Sequence, residues 1–239
     1  MSSSLRIALV AEGRTEFEVV NAALTAILAP RSFVLVLVQP DATRPQLGAG
    51  WGGVLKWCHQ AAERAREVGH GVLEADPTLV GFDAVVLHLD ADVATLAYAD
   101  LGQWGEPAQV AACGWAALPC ACPCPPLPVA FDPLRGVLLS WLRPVVPGAR
   151  TVLCWPAMNT GAWQAAAVLP SGHAALVDLE CNLRVEPILQ QLPVGIRVNK
   201  KDRTSRARAA LAVENNWSQV VARCSRAAEF EQSVKAVFP

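Results

Sequence analysis

The chain has 239 residues, of which 53% are hydrophobic and 17% are charged, and its formal net charge at pH 7 is −1. This composition excludes intrinsic disorder and predicts one large domain, or a compact domain with a smaller appendage, around a sizeable buried core. A net charge so close to zero predicts no global attraction to nucleic acid or anionic lipid, so any such attraction must come from local segregation of charge.

Apolar runs of strand length alternate with amphipathic helical segments through most of the chain. In chain order we predict a strand over 5–11, a helix beginning at Thr15, a strand over 33–38, a helix over 54–68 after a glycine-rich link at 48–53, a strand over 83–89, a helix over 134–142, a strand over 151–155 and a short helix around Trp163. Thr15 and Glu18 have the spacing of a capping box at the start of the first helix. Strands alternating with helices predict an α/β fold with a mainly parallel sheet flanked by helices.

Residues 107–131 carry no charge over a length that would suffice to cross a bilayer. Prolines oppose a continuous helix in this segment, at positions Pro107, Pro119, Pro123, Pro125, Pro126 and Pro128. We therefore predict a rigid, apolar, Pro-rich loop rather than a transmembrane helix. The N-terminal apolar run lacks the basic region and cleavage site of a signal peptide, so we expect a cytoplasmic protein without a membrane partner.

The chain has eight cysteines, a number that suits a disulfide framework only in a small secreted protein. Cys113, Cys120, Cys122 and Cys124 form C-x6-C-x-C-x-C, which departs from the paired C-x2–4-C spacing of zinc sites. We expect reduced, mostly buried thiols, with a structural metal at these four cysteines as the alternative.

From Pro187 onward the pattern stays helical but becomes more polar, with short helices predicted near 205–213, 217–223 and 226–237. We therefore divide the chain into an α/β domain over 1–186, which includes the Pro-rich loop, and a small, basic, helical C-terminal extension over 187–239.

The charges of the chain are segregated along the sequence. Residues 197–226 contain eight basic and two acidic residues, a net charge of +6, whereas residues 1–196 contain 11 basic and 17 acidic residues, a net charge of −6. A cationic segment of this kind predicts contact with a nucleic-acid backbone. The candidate contacts are Lys200, Lys201, Arg203 and Arg206, and the alternative is a solvated helical face.

Acidic residues follow two of the predicted strands. Glu12 comes after the first strand, and Asp90 and Asp92 follow the third strand with one residue between them. The carboxyl ends of parallel strands lie at the same edge of a sheet, so these side chains can converge. Oxygen ligands suit Mg²⁺ or Mn²⁺, and Glu12 is a further ligand or a general base. The alternative is that both aspartates cap the next segment while Glu12 is a solvated loop residue.

Three further residues lie near these motifs. Glu16 is one helical turn after Glu12 and can face the same side, either in a metal-binding role or as a favourable charge near a helix N-terminus. Lys200 is a candidate catalytic residue that would stabilise transition-state charge. His88 shares the strand face of Asp90, and we expect a buried histidine whose hydrogen bonds are satisfied.

The strand with E-G-R-T-E at 12–16, followed roughly 75 residues later by a strand with D-A-D at 90–92, resembles the Toprim domain of topoisomerases, primases and the overcoming-lysogenisation-defect (OLD) nucleases. More narrowly, the chain is similar to a stand-alone bacterial Toprim-like family whose members later carry a Pro-to-Trp segment, here 156–163, and a basic C-terminus. The resemblance implies a Toprim-like, Rossmann-like fold with a divalent metal at Glu12, Asp90 and Asp92. It also implies phosphoryl transfer on nucleic acid, for which we expect DNA in preference to RNA.

One position departs from the family pattern, which places an acidic residue two positions before the tryptophan. This chain has Gly161 there. Three consequences stay open: the protein binds a single metal, it recruits Glu180 or Glu186 instead, or its activity is weakened.

The leading functional hypothesis is a Mg²⁺- or Mn²⁺-dependent nuclease in bacterial defence or mobile-element biology. A nucleotide-sugar glycosyltransferase is the first alternative, because V-V-L-H-L-D-A-D at 85–92 resembles the strand and D-x-D motif that bind a Mn²⁺-diphosphate in those enzymes. That alternative leaves E-G-R-T-E unexplained. The second alternative is a catalytically degenerate Toprim-like partner of an ATPase, as the resemblance to the OLD nucleases implies.

Overall fold

The computed structural model of the protein describes residues 4–119, 128–182 and 184–239. The described residues form one four-stranded parallel sheet in the order β2-β1-β3-β4. The strands are β1 Leu5–Val10, β2 Phe33–Gln39, β3 Ala84–His88 and β4 Thr151–Cys154. They are rich in valine and leucine, as is typical of parallel strands covered on both faces. The predicted α/β fold with a parallel sheet and flanking helices is confirmed, and the architecture is consistent with a Rossmann-like fold.

The order of the strands creates a switch point beside β1. Leu5 pairs with Phe33 of β2, whereas Val10 pairs with Leu87 of β3 on the other side. The chain therefore leaves β1 towards one edge of the sheet and later returns to pair with its opposite side. In open α/β sheets, the crevice beyond the carboxyl ends of two such strands is the usual place for a ligand.

Helices cover both faces of this sheet. Within the described ranges they are α1 Arg14–Leu28, α2 Gly50–Val68, α3 Pro107–Cys113, α4 Pro128–Leu142, α5 Gly161–Val168, α6 Val185–Gln191, α7 Arg203–Asn215, α8 Trp217–Arg223 and α9 Ser225–Val237. Short 3-10 helices lie in several connections, among them Ala91–Thr95 directly after β3.

Alternate residues of β1 face two separate hydrophobic cores, as the period of a strand requires. Ile7 and Leu9 pack into a core with α1, α5 and α7 to α9. Ala8 and Val10 pack into a second core with α2 and α4. Residues 187–239 supply α7, α8 and α9 to the first core, where α7 contacts α1 and α9 contacts β4. The basic C-terminal segment therefore covers one face of the sheet.

The predicted capping box of α1 is wrong. The helix begins at Arg14, with Gly13 at the N-cap position and no side-chain hydrogen bond to the cap, so Thr15 is already helical. Glu18 instead accepts a hydrogen bond from Arg206, Nε to Oε2 at 3.1 Å. The carboxylate of Glu18, which the local pattern assigned to the cap of α1, therefore forms an ion pair with a distant residue instead.

Helix α2 begins at Gly50, whereas the sequence predicted a glycine-rich link as far as Gly53. The reason is close packing, since a Cβ atom at Gly53 would lie 2.5 Å from Nε2 of Gln39 and 2.7 Å from the carbonyl oxygen of Gly48. Glycine is unfavourable inside a helix, but here its lack of a side chain lets the first turn lie against the end of β2.

The prediction of a Pro-rich loop over 107–131 is wrong at both ends of that segment. Pro107 begins α3, and Pro128 begins α4. Proline is well suited to the first helical position, where the missing N–H would have had no partner. Residues 120–127 of the predicted loop lie outside the described residues.

Among the described helices, none combines the length and the apolar character needed to cross a membrane. Cys58, Cys113, Cys154 and Cys224 are free thiols. Cys181 is disulfide-bonded, so the expectation of reduced cysteines is wrong for this residue. Spacing along a sequence does not report which sulfur atoms meet in space. Three members of the predicted cysteine cluster, Cys120, Cys122 and Cys124, lie outside the described residues, and so does any metal site that they would form.

Candidate metal centre

Three side chains with metal-binding atoms meet at the carboxyl ends of β1 and β3. They are Glu12, His88 and Asp90, and their ligand atoms all lie within 4.8 Å of one another. Oε1 of Glu12 accepts a hydrogen bond from the backbone N–H of Asp90 at 2.9 Å. Nε2 of His88 lies 3.3 Å from Oδ1 of Asp90. We call these three residues the candidate metal centre, and they lie at the switch point of the sheet.

Backbone hydrogen bonds fix the two chain segments that carry this centre. The carbonyl oxygen of Glu12 accepts a hydrogen bond from Gly50 at the start of α2, at 2.7 Å. Beyond β3, the backbone N–H of Ala91 donates to Pro156 at 3.1 Å and that of Asp92 donates to Met158 at 3.0 Å. The segment after β3 is thus held against the segment after β4, and this defines where the D-x-D carboxylates lie.

Several buried polar atoms of the centre have no hydrogen-bond partner among the described residues. Both ring nitrogens of His88 and Oδ1 of Asp90 are buried without a hydrogen-bond partner in the described part of the chain. Asp90 stands at the N-cap of the 3-10 helix Ala91–Thr95, but its side chain makes no cap hydrogen bond, so the capping alternative is wrong for this residue. An unpaired buried polar group costs about 1–3 kcal/mol, and a divalent cation would give Oδ1 of Asp90 and Nε2 of His88 a partner. The donor set therefore fits a metal ion.

Burial and crowding of negative charge perturb the protonation of the centre. Burial, followed by the charge of Asp90, raises the pKa of Glu12 from its ordinary value of 4.5 to about 8. Burial, followed by the charges of Glu16 and Asp92, raises the pKa of Asp90 well above its ordinary value. Burial lowers the pKa of His88, although the nearby carboxylates oppose this shift. A bound cation would favour the ionised carboxylates and would therefore lower the pKa values of Glu12 and Asp90.

Further charged residues interact electrostatically with the centre. Glu16 is buried in the first turn of α1, close enough for its charge to raise the pKa of Asp90. Burial, followed by the charge of Glu186, raises the pKa of Asp92 to about 6, while a hydrogen bond with Asn159 opposes that shift. Glu12, Glu16, Asp90 and Asp92, the predicted metal residues, are therefore brought to one region of the molecule.

Lys200 belongs to the same region and forms an ion pair with Glu186. Burial acts to lower the pKa of Lys200, but the hydrogen bond to Glu186 and the charges of Glu16 and Asp90 outweigh burial, so the pKa is raised. Lys200 therefore keeps its positive charge at neutral pH, beside the acidic centre.

The two glutamates proposed as replacements for an acid at Gly161 have different surroundings. Glu186 packs against Gly161, where an added Cβ atom would lie 3.5 Å from Cγ of Glu186. Glu180 caps α9 instead, because its carboxylate accepts hydrogen bonds from Ser225 N–H at 2.8 Å and from Arg226 N–H at 3.0 Å. Of these two, Glu186 is the carboxylate next to the metal region.

Besides Lys200, one of the residues predicted to contact nucleic acid is bonded within the protein and two are exposed to solvent. Nη1 of Arg206 donates to the carbonyl oxygen of Lys200 at 2.7 Å, and its Nε donates to Glu18, so Arg206 connects α7 to α1. Lys201 and Arg203 are exposed at the start of α7.

Sequence reasoning missed two features of this region. His88 is buried as expected, but the expectation of satisfied hydrogen bonds is wrong because its ring nitrogens have no hydrogen-bond partner among the described residues. Its position at the end of β3, two residues before Asp90, was the available signal. Asn159 was not a candidate, although it follows β4, and the rule that sites form beyond strand ends could have identified it.

Comparisons with protein-family models, curated proteins and solved structures gave no match for this chain. The Toprim-like resemblance stays a prediction. The fold and the site together define an α/β protein with a candidate metal centre at the switch point of a parallel sheet.

Proposed function

We propose that the protein is a Toprim-like, Mg²⁺- or Mn²⁺-dependent nuclease that hydrolyses phosphodiester bonds, with DNA as the preferred substrate. The observation that carries the proposal is the meeting of Glu12 and Asp90 at the switch point, where their ligand atoms and that of His88 lie within 4.8 Å of one another. Three ligands on two neighbouring strand ends suit an ion that keeps other positions for water and a phosphate oxygen.

A bound divalent ion would polarise a phosphate oxygen and lower the pKa of an attached water. In the protein itself, Glu12 has a pKa of about 8 in the metal-free state, because of burial and the charge of Asp90. A bound ion would favour the ionised form of Glu12, which would then hold the ion or accept a proton from the attacking water. Asp90 and Asp92 add negative charge to the site. Backbone hydrogen bonds to the segment after β4 fix the positions of both residues.

The positive charge of Lys200 supports the same reaction. Its ammonium group forms an ion pair with Glu186 and interacts electrostatically with Glu16 and Asp90. A fixed positive charge at this place would bind a phosphate oxygen as negative charge develops in the transition state. Exposed Lys201 and Arg203 follow Lys200 and would contact the backbone of a bound strand.

A glycosyltransferase that uses only the D-x-D motif fits these contacts less well. The hydrogen bond from Asp90 N–H to Oε1 of Glu12, at 2.9 Å, ties E-G-R-T-E and D-A-D into one site. A function that requires only the aspartates gives Glu12 no role. Metal-dependent phosphodiester hydrolysis uses both motifs.

Cleavage assays with single- and double-stranded DNA and RNA, each with Mg²⁺ or Mn²⁺, test the proposal. We expect Glu12→Ala and Asp90→Ala to reduce cleavage by about 10²- to 10⁴-fold, the usual contribution of a catalytic acid or base. Asp132→Ala, at an exposed position of α4, is the matched control and keeps wild-type activity. Undiminished cleavage in both site variants contradicts the proposal. Absence of cleavage with all four substrates and both ions does so too, and would favour a non-catalytic partner of an ATPase.

A further inference from the structure

His88 brings an imidazole into a site otherwise built from carboxylates. The side chain is fully buried in the last position of β3, and both ring nitrogens lack a hydrogen-bond partner among the residues that the structure describes. Buried polar groups in proteins are nearly always paired. An unpaired imidazole whose ligand atom lies within 4.8 Å of those of Glu12 and Asp90 has the surroundings of a metal ligand.

The separations of the ligand atoms in this centre are compatible with a shared ion. Nε2 of His88 lies 3.3 Å from Oδ1 of Asp90, yet neither atom makes a hydrogen bond to a described residue. For ligand distances near 2.1 Å, neighbouring ligands of an octahedral ion are about 3.0 Å apart and opposite ligands about 4.2 Å apart. The separations in this centre, all within 4.8 Å, come close to this range.

We propose that His88 is a metal ligand and that Glu12, His88 and Asp90 form a mixed nitrogen and oxygen centre that selects Mn²⁺ over Mg²⁺. Mg²⁺ prefers oxygen ligands and retains its waters, whereas imidazole is a common ligand of first-row transition metals. One nitrogen ligand therefore favours the transition metal, while the two carboxylates keep the site suited to manganese. This inference rests on the metal dependence in the proposed function and is independent of phosphodiester cleavage.

Competition binding measures this selectivity without an activity assay. Mn²⁺ is titrated into the 239-residue protein while free Mn²⁺ is followed by electron paramagnetic resonance, and Mg²⁺ is then added as competitor. We expect His88→Gln to weaken Mn²⁺ binding by about 10- to 100-fold, in the range seen when groups around a metal are removed, and to weaken Mg²⁺ binding by less than about threefold. Equal losses for both ions, or no loss for Mn²⁺, overturn the proposal.

His70→Gln is the matched control, because it removes an imidazole far from the centre. Helix α2 begins at Gly50, which donates to the carbonyl oxygen of Glu12, and ends at Val68, two residues before His70. At a rise of 1.5 Å per residue, the two ends of this helix are about 27 Å apart. We expect this variant to bind Mn²⁺ as the wild type does.

Pulsed electron paramagnetic resonance on the Mn²⁺-loaded wild type keeps the proposal testable even if His88→Gln fails to fold. An imidazole nitrogen bonded to Mn²⁺ modulates the electron spin echo, and we expect this modulation in the wild type and in His70→Gln. Its absence from the wild type overturns the assignment of His88. A protein that shows the modulation but cleaves no nucleic acid contradicts the proposed nuclease alone, and one that cleaves without the modulation contradicts the His88 ligand alone.

Discussion

Two buried aspartates, Asp76 before β3 and Asp90 after it, have opposite surroundings. Asp76 precedes the strand and accepts hydrogen bonds from Nη2 of Arg64 at 2.8 Å and from Thr78 N–H at 2.8 Å. Burial acts to raise the pKa of Asp76, but these partners outweigh it and the pKa is lowered. Asp90 follows the strand, faces other carboxylates, and has a raised pKa.

The same contrast extends to the neighbouring strand. Glu74, near the amino end of β4, accepts hydrogen bonds from Gly148 N–H at 3.1 Å, Arg150 N–H at 2.9 Å and Thr151 Oγ1 at 2.8 Å. The carboxylates of Asp76 and Glu74 therefore have the partners that complete the fold. Beyond the carboxyl end of β3, Oδ1 of Asp90 has no hydrogen-bond partner among the described residues, which is typical of a ligand-binding site.

The contrast predicts opposite effects of one substitution at two positions. Asp76→Asn removes the charge that Arg64 faces and should lower the free energy of unfolding by about 2–3 kcal/mol. Asp90→Asn should raise it by about 1 kcal/mol in metal-free buffer at pH 7, because the folded-state pKa of Asp90 is raised and its ionised form destabilises the fold above the unfolded-state pKa. Urea unfolding at pH 7 with a chelator measures both. A loss of similar size in the two variants contradicts the distinction.

The candidate metal centre should also make stability and metal binding respond to pH in opposite directions. The pKa of Glu12 is raised from 4.5 to about 8, so its favourable contribution is complete below about pH 4.5 and is lost as the pH rises towards 8. Metal-free stability should therefore fall across this window. Mn²⁺ affinity should rise by up to about tenfold per pH unit over the same window, because the ion displaces a proton.

Glu12→Gln tests the share of this titration that belongs to Glu12. It should reduce the fall in unfolding free energy between pH 5 and pH 8, measured by urea unfolding in the presence of a chelator, and the part that remains comes from Asp90 and Asp92, whose pKa values are also raised. Asp76 does not confuse the result, because its lowered pKa places its own effect in more acidic solution. A wild-type protein whose metal-free stability increases across this range would show that the carboxylate of Glu12 has found a partner.

Much of this fold could be predicted from the apolar runs alone. The strands predicted at 5–11, 33–38, 83–89 and 151–155 were found within one or two residues, because continuous hydrophobic runs are needed where both faces are covered. The start of α1 was predicted within one residue, but its cap and the start of α2 were not. They depend on contacts between distant residues, such as the packing of Gly53 against Gln39, and local propensity does not include these contacts.

The candidate site shows the same division. The meeting of Glu12 and Asp90 follows from parallel strands, whose carboxyl ends share one edge. The state of His88 could not be predicted, since the lack of a hydrogen-bond partner depends on every element packed around the ring. The roles of Glu180 and Glu186 also depend on chain segments far away in sequence, because the backbone donors that occupy Glu180 come from the start of α9.

The smallest predicted effect separates these two glutamates. The carboxylate of Glu180 accepts hydrogen bonds from Ser225 N–H at 2.8 Å, Ser225 Oγ at 2.7 Å and Arg226 N–H at 3.0 Å, and it lies at the positive end of the α9 dipole. Glu180→Gln loses the charge and one accepting oxygen, so the free energy of unfolding should fall by about 1 kcal/mol, as for other helix caps. Mn²⁺ affinity should stay unchanged. Glu186→Gln, the matched variant, should change Mn²⁺ affinity by a few-fold, because Glu186 acts on Asp92. A larger shift in Mn²⁺ affinity for Glu180→Gln than for Glu186→Gln would contradict the division between carboxylates that complete the fold and those that surround the ion.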